Sequence, residues 1–240
     1  MEIKAYNELL DYYKKELSMM DCIHFNSNVT ESVYNQYLPH AKSCVIPITH
    51  SGINDKRKRK DFFNENLNIM FVGNTTTYKG FPLLKNILLQ LYNEGYQNWN
   101  LNIWGTKKGI DADCHLILFR GKYKTVELEY IYNRTDLLVV PSIWKETFSL
   151  VTLEAISYGV PVLVSENVGA KDIVAQYNPY FIYRDKDDLY NKLKHLLESN
   201  EKLIAFNAQI LNEPWTYNME QHTKDMEELI YKPLLNSLND

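Results

Sequence analysis

The feature that most constrains the fold of this chain is the regular alternation of apolar runs and amphipathic segments from Leu67 onward. Apolar runs such as LNIMFVG, HLILFRG, DLLVVPS and VPVLVS alternate with segments of helical periodicity, several of which end in glycine. Strands that are apolar on both faces are typical of a parallel sheet covered by helices on both sides. The sequence therefore predicts an α/β fold: a Rossmann-like parallel sheet with helices on both faces.

The segments that flank this pattern divide the chain into three parts: 1–66, 67–215 and 216–240. The middle part is the predicted Rossmann-like domain, and the last part contains a predicted long helix, about Tyr217 to Leu235. The first part begins with an amphipathic helix, about Ile3 to Met20.

Two further elements are expected in the first part of the chain. The run DCIHFNS reads as a short buried strand, and Thr30 is the expected N-cap of the helix after it. Residues 51–61 are polar and contain the basic run Lys56–Lys60. A solvated linker is the interpretation that we favour, and contact with anionic lipid headgroups is the alternative.

Composition excludes some function classes. The net charge of −4 does not suggest nucleic-acid binding. No run approaches the ~20 apolar residues that span a bilayer, and the charged first helix is not a signal peptide. We therefore expect a cytoplasmic protein with possible peripheral membrane contact. Three widely spaced cysteines indicate reduced thiols rather than a disulfide framework.

In sheets of this type ligands bind beyond the carboxyl ends of the strands. The first loop there runs from Gly73 to Gly80 and joins a predicted strand to a helix. Its free N–H groups and the helix dipole suit a phosphate group, and Lys79 adds a positive charge. The loop matches neither the Walker spacing nor G-x-G-x-x-G. A polar turn with a surface lysine remains the alternative.

A second constellation follows the run DLLVVPS. Glu146 falls in a loop and Glu154 on the next helix, with seven residues between them. This spacing can aim both carboxylates at one pocket, with the amides of Phe148 to Leu150 at the start of the helix. Such a pocket suits a ligand with phosphates and hydroxyls. The alternatives are a helix-entry carboxylate at Glu146 and a buried structural acid at Glu154.

No metal site is predicted. Asp111-Ala112-Asp113 spells D-x-D, a pattern that can hold a metal against a diphosphate, but it precedes its strand and so lies at the wrong strand end. The six histidines show no metal-ligand spacing.

The ordered run F-V-G-x5-K-G, then G-K-Y before a helix, then PSIWKETFSLVTLEAISYGVPVLVS resembles the C-terminal, donor-binding domain of glycosyltransferase family 4. The resemblance extends over about 21–197 and is dense over 67–174. It implies the GT-B fold and transfer of a hexose from a UDP- or GDP-sugar to an acceptor hydroxyl, with retention of anomeric configuration. It implies no cofactor and no metal.

The resemblance also implies roles for single residues. Lys79 and Glu146 would be the catalytic pair, with Lys79 on the donor diphosphate and Glu146 on hydroxyls of the transferred sugar. Glu154 would hold the ribose, and Gly121 to Tyr123 the base. The implied donor-binding residues are Gly73, Asn74, Gly121, Lys122, Tyr123, Thr147, Phe148, Ser149, Leu150 and Glu154.

Two positions depart from the pattern of the resembled family. Asn74 stands where members usually carry an arginine, and Ser149 stands where a glycine is frequent. One cation for the diphosphate is therefore missing, and Lys107 or Lys108 is the candidate replacement.

A complete GT-B enzyme has two Rossmann-like domains. The resemblance thus implies that 1–66 is the end of a missing N-terminal domain plus a linker, and that the last helix returns toward that domain. We expect the chain alone to be incomplete for catalysis, with a glycan or lipid-linked acceptor bound by the missing half in polysaccharide biosynthesis. A non-catalytic nucleotide-binding or partner subunit and a sugar-nucleotide epimerase remain alternatives.

Overall fold

The computed structural model describes residues 3–62 and 65–237 of the 240-residue chain. The chain opens with helix α1 (Ile3–Ser18), followed by strand β1 (Ile23–Phe25), helix α2 (Asn28–Asn35) and strand β2 (Ser43–Val45). β1 and β2 form a small parallel sheet of their own. Ile23, Phe25 and Leu38 form a separate small core beneath it.

The main sheet contains seven strands among the described residues: β3 (Leu67–Val72), β4 (Trp99–Trp104), β5 (Gly109–Ile110), β6 (Ile117–Gly121), β7 (Leu137–Val140), β8 (Val162–Ser165) and β9 (Ile182–Tyr183). Their order is β5-β6-β4-β3-β7-β8-β9. All neighbours pair in parallel except β5 with β6. Every residue of β7 and β8 is buried, because helices cover both faces of the sheet at these strands. The predicted fold class is confirmed.

The helices that follow are α3 (Phe81–Asn93), α4 (Leu128–Asn133), α5 (Leu150–Ser157), α6 (Lys171–Tyr177), α7 (Lys186–Glu198), α8 (Glu201–Asn212), α9 (Met219–Met226) and α10 (Lys232–Ser237). The predicted last helix is two helices, because a π-helical segment at Glu227–Tyr231 interrupts it. α8 was not predicted, although Leu203, Phe206 and Ile210 face the core at helical spacing.

Thr30 is not the N-cap of α2, contrary to prediction. Ser27 caps the helix, because its Oγ accepts from the Thr30 N–H at 3.2 Å. The Ser27 Oγ–H also donates to the carbonyl of Thr147 at 2.7 Å, which connects the first part of the chain to the loop that precedes α5.

The expectation of a solvated linker at Lys56–Lys60 holds only in part, because Lys56, Lys58 and Arg59 are exposed whereas Arg57 and Lys60 are half-buried. Ile53 is only 1% exposed and Phe62 is also buried in the main core, so the segment between them is drawn against the domain. Lys56 Nζ donates to the hydroxyl of Tyr158 at 3.0 Å, and Lys60 Nζ donates to the carbonyl of Tyr132 at 2.6 Å. The three-part domain division itself stays a prediction.

None of the helices in the described part of the chain combines the length and the apolar character that crossing a membrane requires. The three cysteines are free thiols.

Candidate functional site

A cavity of about 260 Å³ opens at the carboxyl ends of β3 and β7, the edge of the sheet where the sequence places the ligand. Two strand ends, two loops and the first turn of α5 enclose it. Its lining residues are Phe71, Val72, Gly73, Lys79, Val139, Val140, Pro141, Ser142, Glu146, Ser149, Leu150 and Val151.

The two loops that carry charged side chains into the cavity touch at Gly80. This residue has φ +74°, and a Cβ atom there would lie 1.6 Å from the carbonyl oxygen of Pro141. Only glycine tolerates both the left-handed backbone and the close approach. The Tyr78 carbonyl also accepts from the Ile143 N–H at 2.9 Å, so the loop before α3 and the loop after β7 are held together.

Lys79 and Glu146 form an ion pair inside the cavity. Lys79 Nζ lies 2.6 Å from Glu146 Oε1, with side-chain exposures of 33% and 8%. The hydroxyl of the buried Ser142 donates to the same oxygen. The Glu146 N–H donates to the carbonyl of Asn167 at 2.9 Å, which fixes the backbone beneath the carboxylate. The pair presents a cation and a carboxylate at fixed positions, with no direct backbone hydrogen bond to either charged group among the described residues.

The amino end of α5 faces the same cavity. Ser149 caps it with φ +94°, and it is the only non-glycine residue with positive φ in the described parts of the chain. Thr152 N–H donates back to the Ser149 carbonyl at 3.1 Å, whereas the amides of Leu150 and Val151 have no acceptor within the helix. Free amides at the positive end of a helix dipole form an anion site.

Glu154 lies one turn further along α5 than Leu150, on the same face of the helix. It is not among the residues that line the cavity. Its Oε2 accepts from the hydroxyl of Tyr132 at 2.7 Å. Burial raises the pKa of Glu154, and the hydrogen bond from Tyr132 partly opposes that shift. The sequence placed both carboxylates in one pocket, whereas in the structure Glu146 lines the cavity and the half-buried Glu154 does not.

The glycines at the ends of β3, β4 and β6 connect neighbouring loops. The Gly73 N–H donates to the carbonyl of Trp104 at 3.0 Å, and the Gly105 N–H donates to that of Gly121 at 2.9 Å. Next to Gly121, the half-buried Tyr123 meets Trp104 edge to face at 5.9 Å. Burial raises the pKa of Tyr123, and the charge of Glu154 adds to that shift.

The structure thus brings part of the predicted set together. Gly73, Lys79, Glu146, Ser149 and Leu150 line the cavity. Phe148 is buried behind it. Asn74, Lys122 and Thr147 are exposed, and Gly121, Tyr123 and Glu154 lie beside the cavity rather than in its lining. The roles assigned to these residues stay predictions.

Sequence analysis missed several residues at this edge. Ser142 directly follows β7 and bonds Glu146, and its position after a buried strand was the available signal. Tyr78 and Trp144 are 44% and 51% exposed, with ring centroids 5.1 Å apart at the rim. Thr76 Oγ1 is buried without a hydrogen-bond partner among the described residues.

The D-x-D pair has a structural role. Lys85 Nζ on α3 lies 2.8 Å from Asp111 and 2.6 Å from Asp113, so both carboxylates pair with this one lysine. None of the three residues lines the cavity. Within 3–62 and 65–237, no group of three or more His, Cys, Asp or Glu side chains could hold a metal ion.

The sheet order, the cavity at its carboxyl edge and the helix that begins there define a Rossmann-like α/β protein whose cavity is suited to an anion. The chain belongs to the family described as glycosyl transferases group 1, whose family model matches residues 52–210. Its fold matches that of the C-terminal domains of GT-B glycosyltransferases.

Curated relatives include sugar transferases of several kinds. The chain is 25% identical over 173 residues to lipopolysaccharide 1,2-N-acetylglucosaminetransferase of Salmonella typhimurium, a match that covers 62% of this chain and 45% of that protein. It is 26% identical over 273 residues to glycogen synthase of Clostridium botulinum, which covers 96% of this chain and 54% of that protein. The chain spans about half the length of these relatives.

Solved structures share the fold. Sucrose-phosphate synthase from Thermosynechococcus elongatus superposes with a TM-score of 0.69 at 18% identity, over 96% of this chain and 62% of that one. HepE from Anabaena, solved with UDP and glucose, gives a TM-score of 0.71 at 16% identity, over 93% and 66%. Both resemblances extend over nearly all of this chain.

Proposed function

We propose that this chain is the donor-binding half of a retaining hexosyltransferase of the family 4 type, with a UDP- or GDP-sugar as donor. The observation that carries the proposal is the Lys79–Glu146 pair facing the free amides of Leu150 and Val151 across one cavity. The HepE neighbour, solved with UDP and glucose, supports a nucleotide-sugar ligand.

The chemistry follows from charge. When the bond between the sugar and the diphosphate breaks, negative charge builds on the departing phosphate oxygens. The two amides can meet that charge without rearranging, and fixed groups of this kind lower a barrier by about 3 kcal/mol each. Lys79 can turn from Glu146 to the same oxygens and add its positive charge. Glu146 would accept from hydroxyls of the transferred sugar once Lys79 turns to the phosphate. No metal is needed in this proposal, because the chain supplies the positive groups.

The acceptor belongs to another half. The matches cover only about half the length of these curated relatives, so transfer to a glycan or a lipid-linked acceptor would require a second domain or a partner. We propose a place in polysaccharide biosynthesis, on the cytoplasmic side, with peripheral membrane contact through that second half. We expect this chain alone to transfer no sugar.

Calorimetry tests the donor assignment. Wild-type chain is titrated with UDP, GDP, ADP and their glucose conjugates, with and without a metal chelator. We expect one nucleoside diphosphate to bind, and binding to survive chelation. Lys79→Met should weaken that diphosphate about 30-fold, because a charge-assisted bond contributes about 2 kcal/mol, and should leave the free nucleoside unaffected.

Lys58→Met is the matched control. Lys58 also forms an ion pair, with Glu129 at 2.8 Å, but it lies outside the lining of the cavity. It should leave every affinity unchanged. Absence of binding by all three nucleotides would overturn the proposal, as would equal losses in the two lysine variants.

A non-catalytic partner subunit is the second candidate, and Asn74 favours it. This side chain is exposed and uncharged where the resembled family usually carries an arginine. If the missing charge limits diphosphate binding, Asn74→Arg should strengthen it about fivefold, because a partly exposed ion pair contributes about 1 kcal/mol. An unchanged affinity would remove the argument for this candidate.

A further inference from the structure

Tyr132 on α4 connects the two edges of the sheet. Its side chain is 1% exposed, and its hydroxyl donates to Glu154 Oε2 at 2.7 Å. Its backbone carbonyl accepts from Lys60 Nζ at 2.6 Å. Its ring stacks on Tyr158 with centroids 4.9 Å apart and planes 19° from parallel. Backbone, ring and hydroxyl each have a separate partner, so the hydroxyl has little freedom to leave Glu154.

The surroundings of Glu154 make this hydrogen bond consequential. Burial raises the pKa of Glu154, whereas the Tyr132 hydroxyl, His50 and Lys56 lower it. Burial, helped by the charge of Glu154, in turn raises the pKa of Tyr123. Burial also raises the pKa of Tyr132 well above its usual value, with the Glu154 charge second, so Tyr132 remains a proton donor.

Only one of the two carboxylate oxygens of Glu154 is occupied. Tyr132 takes Oε2, and Oε1 has no hydrogen-bond partner among the described residues. The hydroxyl is a neutral donor, so it orients the carboxylate without cancelling its charge. Glu146 differs, because Lys79 neutralises it at 2.6 Å. The carboxylate of Glu154 is therefore arranged to accept from neutral hydroxyl donors rather than to pair with a cation.

We propose that Tyr132 is a positioning residue of the donor site: its hydroxyl holds the carboxylate of Glu154 turned so that Oε1 faces the hydroxyls of the donor's nucleoside. This inference rests on the proposed function. Tyr132 acts through Glu154 and does not touch the ligand itself.

The test removes one oxygen atom. Tyr132→Phe keeps the ring that stacks on Tyr158 and the carbonyl that accepts from Lys60, and deletes only the hydroxyl. Tyr158→Phe is the matched control, because it deletes the hydroxyl that accepts from Lys56 at 3.0 Å on the other ring of the same stack. Both variants are titrated with the nucleoside diphosphate that binds wild-type chain, and with inorganic pyrophosphate.

We expect Tyr132→Phe to weaken the affinity for the nucleoside diphosphate about tenfold near pH 7, because Glu154 is then no longer held in place. A tenfold change corresponds to about 1.4 kcal/mol. Pyrophosphate affinity should not change, since pyrophosphate has no nucleoside. Tyr158→Phe should match wild type with both ligands. Combined with Glu154→Gln, Tyr132→Phe should add no further loss.

The pH dependence separates positioning from a structural effect. Without the hydroxyl, the pKa of Glu154 rises further, because burial is no longer opposed by this hydrogen bond. Protonation then begins at a higher pH, so the gap between wild type and Tyr132→Phe should widen as pH falls from about 8 to about 5.5.

Three results would overturn the inference. In the first, Tyr132→Phe binds like wild type. In the second, Tyr132→Phe and Tyr158→Phe lose the same affinity for the nucleoside diphosphate. In the third, pyrophosphate weakens as much as the nucleotide. A wild-type chain that binds none of the three nucleotides would instead overturn the proposed function, and this inference with it.

Discussion

Strands β3 and β7 have a buried carboxylate and a lysine at each end, and the two ends differ. At the amino edge, the buried Asp136 accepts from the backbone and side-chain nitrogens of Asn68 at 2.8 and 3.0 Å. Lys60 donates to backbone carbonyls of Tyr132 and Asn133. Three of these four bonds have a backbone nitrogen or carbonyl as the partner.

Burial shifts both groups at the amino edge toward their neutral forms. It raises the pKa of Asp136 and lowers the pKa of Lys60 to about 8, and the attraction between the two opposes each shift. Each group therefore partly keeps the other charged, as expected of a structural pair.

At the carboxyl edge, Lys79 and Glu146 are joined to each other and to the hydroxyl of Ser142. A side-chain pair can separate at little cost when a ligand offers equivalent partners, whereas backbone partners cannot move away. The comparison shows that the charged side chains bond mainly to backbone at the amino edge, and to other side chains beside free amides at the carboxyl edge, where we propose the donor site.

The largest effect is expected at the amino edge. Asp136→Ala removes the acceptor of two Asn68 nitrogens and the counter-charge of Lys60, so the free energy of unfolding should fall by about 3 kcal/mol. Urea denaturation monitored by circular dichroism measures it. Asp113→Ala is the control: this carboxylate is 63% exposed, and Lys85 retains Asp111, so we expect a loss under about 1 kcal/mol. Equal losses would remove the distinction between buried and exposed carboxylates.

An intermediate effect is expected at the carboxyl edge, and it concerns binding rather than stability. Glu146→Gln frees the charge of Lys79 from a competing carboxylate. Pyrophosphate should bind about fivefold tighter at low ionic strength, since a partly exposed ion pair contributes about 1 kcal/mol, and less so in high salt. The free energy of unfolding should change by less than about 1 kcal/mol. Weaker pyrophosphate binding would mean that Glu146 holds Lys79 in place for the ligand.

The smallest effect sharpens the comparison at one backbone position. Ser149 adopts φ +94° beside the cavity, a backbone conformation that is unfavourable for residues with a Cβ atom. Ser149→Gly should raise the free energy of unfolding by about 0.5 kcal/mol, because relief of strain exceeds the added freedom of the unfolded chain. Ser149→Ala keeps a Cβ atom and loses the hydroxyl that accepts from Thr152 Oγ1 at 3.0 Å, so it should give no gain. A gain with alanine would show that the backbone is not strained.

The sequence predicted the sheet because its signal is local. β7 and β8 are buried at every residue, and a run that is apolar on both faces has few alternatives to a covered parallel sheet. The carboxyl-edge location of the cavity followed from that topology, and with it the proximity of Lys79 and Glu146, which are 67 residues apart.

Contacts that depend on how elements rotate against each other were beyond the sequence. Ser27 reaches the carbonyl of Thr147 across 120 residues, and no periodicity encodes that distance. The same holds for the bond from Tyr132 to Glu154, where a seven-residue spacing fixed the helix face but not its partner. The packing of the basic segment was missed because charge alone suggested solvent, while its buried flank at Ile53 decided the outcome.

Gly80 has a consequence for any redesign of the cavity. A Cβ atom at this position would lie 1.6 Å from the Pro141 oxygen, so the loop before α3 and the loop after β7 are in direct contact there. A larger residue would force the two loops apart. A change in what the cavity accepts is therefore to be sought in exposed side chains near it, such as Asn74 and Thr147, and not in a new path of these two loops.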